Sequence, residues 1–141
     1  MSNLEQLHEQ DLNLWLEKVT QKIKNRDFTD MDWNNLVEEI EDMSASQKRA
    51  LRSYYSRLIE HLLKIKYWES EKARNETKWR IEIDNFRREI QSILEDSPSL
   101  KNYLAKNYLD WQNKVIKNYQ KNQLFPVPKN IMMSLEETMQ D

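Results

Sequence analysis

Apolar residues recur at three- and four-residue intervals along most of this chain. That spacing places them on one side of a helix that turns about 100° per residue. Leu12, Trp15, Leu16, Val19 and Ile23 mark a first helix, predicted over Gln10–Asn25, with Asp11 in its first turn where a carboxylate complements the helix dipole. Asp30 or Asp32 caps a second helix carrying Leu36, Ile40 and Met43. Ser44 or Ser46 caps a third, over Gln47–Trp68, with Leu51, Tyr55, Leu58, Leu62 and Ile65 as its stripe. Trp79, Ile83, Phe86, Ile90 and Leu94 define a fourth over Asn75–Glu95, which ends before Pro98 because proline disfavours helix in the residue ahead of it. Ser99 then caps a fifth, Leu100–Asn122, with Leu104, Trp111, Val115 and Tyr119 facing inward. Ser134 and Glu137 stand at capping-box spacing, which predicts a short last helix over Ser134–Gln140. Residues 1–8 read as a frayed end, and residues 123–141, which open on the breaker FPVP, as a peripheral tail. The expected fold is all-α: a single-domain helical bundle, residues 1–141, of about five main helices plus the short C-terminal one.

Composition narrows the chemistry. The 141 residues suit one domain. There is no glycine, and only three prolines. Without glycine, turns that need positive φ are expensive, and glycine-rich phosphate loops are excluded. Charged residues make up 33% of the chain and mean hydropathy is −0.97, but five tryptophans and six tyrosines on periodic stripes argue against disorder. The absence of cysteine excludes disulfide scaffolds, cysteine-based zinc sites and thiol nucleophiles. No apolar run reaches the length of about 18 residues that a spanning helix needs, so the expected setting is cytoplasmic, away from the membrane. The net charge of −2 conceals an asymmetry: residues 1–45 carry 4 Lys/Arg against 11 Asp/Glu, whereas residues 46–106 carry 14 against 9. Either the two parts attract one another, or the basic part, with its interleaved Tyr and Trp, faces an anionic partner.

Candidate chemistry concentrates between Asp32 and Trp68. If a turn near Ser44–Ser46 joins two antiparallel helices, Asp32, Asn35 and Glu39 on one face Tyr54, Arg57, His61 and Trp68 on the other, with Lys48, Arg52 and Lys66 beyond. His61 and Glu39 then form a general acid–base pair, with Asn35 and Tyr54 completing the site. Lys48, Arg52, Arg57 and Lys64 would bind phosphates. The structural alternative makes His61 a boundary residue bonded to Glu60, Arg57 or a backbone oxygen, and the acidic EEIED run a solvated face. Asp32, Glu39 and His61 also carry ligand chemistry, but their spacing matches no metal motif, so neither metal nor cofactor is expected.

Several stretches resemble a bacterial family catalogued as "domain of unknown function 29": Asp11 with Trp15, the Asn35-Leu36-x-Glu38-Glu39-Ile40-Glu41-x-Met43 core, Arg49-Ala50-Leu51, His61 to Lys64, and Ser97 to Leu100. Ala45 stands where the family pattern leads one to expect glycine. The resemblance, over residues 9–125, implies an all-helical bundle and brings no activity with it. Two functions therefore stand as expectations. One is a small, metal-independent endoribonuclease acting on single-stranded RNA. The other is a non-catalytic helical interaction or regulatory module, antitoxin-like or an adaptor. A homodimer is compatible with either.

Overall fold

A computed structural model describes residues 3–140. Among these there are six helices and no strand: α1 (Asn3–Gln10), α2 (Leu12–Lys24), α3 (Trp33–Tyr67), α4 (Glu69–Asp96), α5 (Leu100–Asn122) and α6 (Leu135–Met139). No described helix is long and apolar enough to cross a membrane. The chain forms two compact units, Met1–Ser46 and Gln47–Asp141, and α3 runs from the first into the second.

That continuity is the largest departure from the sequence reading. The expected turn near Ser44–Ser46 is absent, and α3 passes through it as helix. Serine is a mild helix disfavourer, costing at most about 0.7 kcal/mol against alanine, and nothing in SAS breaks a helix as Gly or Pro would. Ser44 and Ser46 lie exposed on α3 rather than capping anything.

The first unit is lean. Its core consists of Leu4, Trp15, Val19 and Met31, with Leu7 and Leu36 packed against it. Residues 1–8 were expected to fray; Met1 and Ser2 lie outside the described residues, but from Asn3 the chain is helical in α1 and buries Leu4. Asp11 separates α1 from α2 and accepts a hydrogen bond from the Leu14 N–H at 3.0 Å, the bond of an N-cap. Asp32 does the same for α3, accepting from the Asn35 N–H at 3.4 Å. Arg26 and Asp30, in the link between α2 and α3, take positive φ (54° and 53°) without glycine. Asp27 sits between them, its carboxyl held below the usual carboxylate range by the Thr29 N–H first and by Lys22 as well.

The second unit holds the main core. Leu51, Tyr55, Leu58 and Leu62 of α3 meet Ile83, Phe86 and Ile90 of α4 and Leu104, Trp111 and Val115 of α5. The helix α4 begins at Glu69, six residues ahead of the expected Asn75; Glu69 and Glu71 occupy its first turn. Ser99 precedes α5 but makes no side-chain cap bond. Residues 123–140 are no peripheral tail, and Asp141 lies outside the described residues. Phe125, Met133 and Thr138 are buried, and Phe125 stacks on Trp68 with ring centroids 5.1 Å apart. Gln112, fully buried on α5, holds Met133 through two bonds: its Oε1 accepts from the Met133 N–H at 2.7 Å, and its Nε2 donates to the Met133 carbonyl at 3.0 Å. The complete capping box at Ser134 and Glu137 starts α6 as the spacing predicted.

Candidate functional site

The polar residues of the first unit form one network around the indole of Trp15. Asp32 is almost fully buried and accepts from Trp15 Nε1 at 3.1 Å and from Asn35 Nδ2 at 2.7 Å. A buried carboxylate is tolerated here because several donors converge on it. His8 lies edge-on to Trp15, ring centroids 4.9 Å apart, and its Nε2 is 2.8 Å from Glu39 Oε1. Glu39 therefore has a histidine partner, but it is His8, contributed by the segment expected to fray. Asn35 orients Asp32. Within this unit both candidate residues, Asn35 and Glu39, bind protein groups.

The other candidate residues lie in the second unit. His61 Nδ1 is 2.8 Å from the Arg57 carbonyl, and its Nε2 is ion-paired with Glu82 of α4. With Nδ1–H donating to the carbonyl, Nε2 bonds the carboxylate only where a proton lies between the two. The imidazole packs edge-on against Phe86 at 5.1 Å, and Tyr54 meets the same ring at 6.4 Å. Along α3, Tyr54, Arg57 and Lys64 stand at i−7, i−4 and i+3 from His61, all on one side of the helix. Arg52 and Arg57 are exposed, Lys64 is half-buried, and Lys48 Nζ sits 5.2 Å from the centroid of the Tyr103 ring. The sequence reading missed Glu82; its one signal was its place on α4 one residue before Ile83 of the apolar stripe. Among the described residues no group of three or more His, Asp or Glu is placed to hold a metal ion.

The surface carries a second feature that the periodic pattern assigned to the core. Leu36, Ile40 and Met43 were expected to face inward. Leu36 is half-buried, but Ile40 is 57% exposed and Met43 70%. Trp33 and Val37, at 52% and 50%, complete a solvent-facing row on α3, and the Phe28 ring lies 6.0 Å from that of Trp33. On α2, Leu12, Leu16 and Ile23 are exposed too, while Trp15 and Val19 of the same expected stripe are buried. Nine of the twelve large apolar side chains exposed among the described residues fall within the first unit, a third of the chain. Single exposed apolar residues are ordinary; a concentrated row is not.

The family profile described as "Domain of unknown function DUF29" matches residues 7–141. No curated protein matches the chain, and no solved structure does.

Proposed function

This chain belongs to the family described as domain of unknown function DUF29, and we propose that it is a helical protein-interaction module that docks a partner on the exposed row of α3. One observation carries the reading: Trp33, Val37, Ile40 and Met43 are each at least half exposed on successive turns of one helix face. Burying a whole side chain of this kind contributes about 1.5–3 kcal/mol. Covering four that are half exposed supplies several kcal/mol before the cost of association is subtracted. Aromatic residues and methionine are also the types enriched where proteins meet.

The test is position-specific photo-crosslinking in the native host, with the photoreactive residue at Val37 in one version and at Lys114 of α5 in another. A discrete protein adduct from position 37, lost on Ile40→Glu and not formed from position 114, is the expected result. No protein adduct from position 37 ends the reading.

A second reading is favoured by the His61–Glu82 pair. A histidine anchored through Nδ1 and facing a carboxylate, with Tyr54, Arg57 and Lys64 on the same side, has the groups that cleavage of single-stranded RNA by acid–base chemistry needs. Incubation with labelled RNA oligomers, with and without EDTA, tests it. His61→Ala and Glu82→Gln would each lower an EDTA-insensitive cleavage by about 10²–10⁴-fold. An inert wild-type protein removes this reading and leaves the first untouched.

A further inference from the structure

The row on α3 has a charged border on one side. Measured around the helix axis at 100° per residue, Glu41 lies next to Val37 and Glu38 follows beyond it, while Asp42 falls on the side opposite the row. All three carboxylates are exposed. The unit that bears them, Met1–Ser46, has 4 Lys/Arg against 11 Asp/Glu, a net charge of −7. We propose that the occupant of this face is a cationic amphipathic helix of a partner protein, with an apolar stripe laid on Trp33, Val37, Ile40 and Met43 and with lysines or arginines along the edge that meets Glu41 and Glu38. This rests on the reading of the row as a protein interface and adds the chemistry of what binds there.

Charge and size select this occupant. A second copy docked by the same face through a two-fold axis sets acidic borders of one sign close together. RNA and an anionic membrane surface are repelled by a unit of this charge. The row spans ten residue steps, about 15 Å of helix, which matches an apolar stripe of three turns on the partner. Opposite charges at the rim raise the encounter rate and fix orientation, and the apolar row supplies the contact area.

Two designed peptides probe the inference with the full chain. Both carry leucines at i, i+3, i+4 and i+7 over three to four turns. One has lysines on the flanks of that stripe, the other glutamates, and a scrambled lysine–leucine sequence controls for unspecific attraction. Binding is read by calorimetry at low and at physiological salt. The lysine peptide is expected to bind at least about tenfold more tightly than the glutamate peptide and than the scrambled one, and to weaken as salt rises. Ile40→Glu should reduce that binding by tenfold or more. The double variant Glu38→Lys, Glu41→Lys should reverse the order of the two peptides. Equal affinity for both peptides, failure of both to bind, or lysine-peptide binding that ignores Ile40→Glu overturns the inference. The crosslink from position 37 keeps the two failures apart: a protein adduct whose contacting segment is acidic or neutral overturns the cationic partner alone, whereas the absence of any protein adduct overturns the interface.

Discussion

Replacing Gln112 by leucine removes the clamp that holds the C-terminal segment in the second unit. The hydroxyl chain around it has a defined direction. Thr138 Oγ1 donates to the Leu135 carbonyl at 2.8 Å, so it accepts from the Tyr55 hydroxyl at 3.0 Å, and the Tyr55 oxygen is left to accept from Gln112 Nε2 at 3.4 Å. Gln112→Leu keeps the volume of the side chain but strips the Met133 N–H and carbonyl of their partners. A buried polar group without a partner costs about 1–3 kcal/mol, so two cost about 2–6. Detachment of the segment sets a ceiling, since water would then satisfy both groups while Phe125 and Met133 lose their burial. A loss of about 2–4 kcal/mol follows from the two limits together.

Tyr55→Phe is the matched comparison. It deletes one hydroxyl, yet Thr138 keeps its bond to Leu135 and Gln112 keeps both bonds to Met133; only the long 3.4 Å bond from the second Gln112 N–H is lost, so about 1 kcal/mol is expected. Urea unfolding followed by far-ultraviolet circular dichroism measures the totals, and amide exchange at Met133 and Thr138 reports the segment itself. Gln112→Leu within 0.5 kcal/mol of wild type, or Tyr55→Phe costing more than Gln112→Leu, would refute the clamp.

Other perturbations follow from the same structure. Asp32→Ala should destabilise the first unit by about 2–4 kcal/mol, seen as loss of amide protection in α2, because the buried Trp15 N–H loses its acceptor and α3 loses its cap. Burial pushes the Tyr55 phenol above its usual value; the unfolded chain then ionises first as pH rises past about 10, so stability should fall from there upward and be constant just below it, as read by urea midpoints at stepped pH. Gln123, at the end of α5, holds a φ of 50°, so Gln123→Gly should raise the midpoint or leave it unchanged, with the relief of about 1 kcal/mol set against the greater freedom of the unfolded chain. Ile40→Gln should leave stability within about 0.5 kcal/mol of wild type, since more than half of the side chain already faces solvent; a larger loss would mean that the row is core.

Much of the architecture was legible because local chemistry decides it. The start of α5 follows from Pro98, and α6 follows from a capping box that forms as spaced. The stripes of α4 and α5 were read correctly since sixteen buried apolar residues make a core large enough to cover both. The first unit was misread for the opposite reason. Its periodicity is real, but four buried residues cannot cover Leu12, Leu16, Ile23, Ile40 and Met43 as well. Periodicity shows which residues share a face and is silent on what that face meets. The early start of α4 was hidden because residues 69–75 offer one alanine and no larger apolar side chain. His61 was expected to meet Glu39 across a turn, yet without that turn the two share one helix, and the carboxylate beside His61 is Glu82 of the next helix, α4.

The two kinds of contact in the first unit bear on how its surface stays available. With so small an apolar core, the geometry of α2 and the start of α3 depends on directional bonds: Asp11 to the Leu14 N–H, Asp32 to Trp15 and Asn35, His8 to Glu39. Such bonds fix orientation while using little apolar area. If the same helices were fixed by apolar packing alone, Trp33, Val37 and Ile40 would be the side chains available to do it, and the row would turn inward. The polar network therefore does more than stabilise. It holds α3 in place while its most apolar face stays exposed, the face on which the proposed partner would dock.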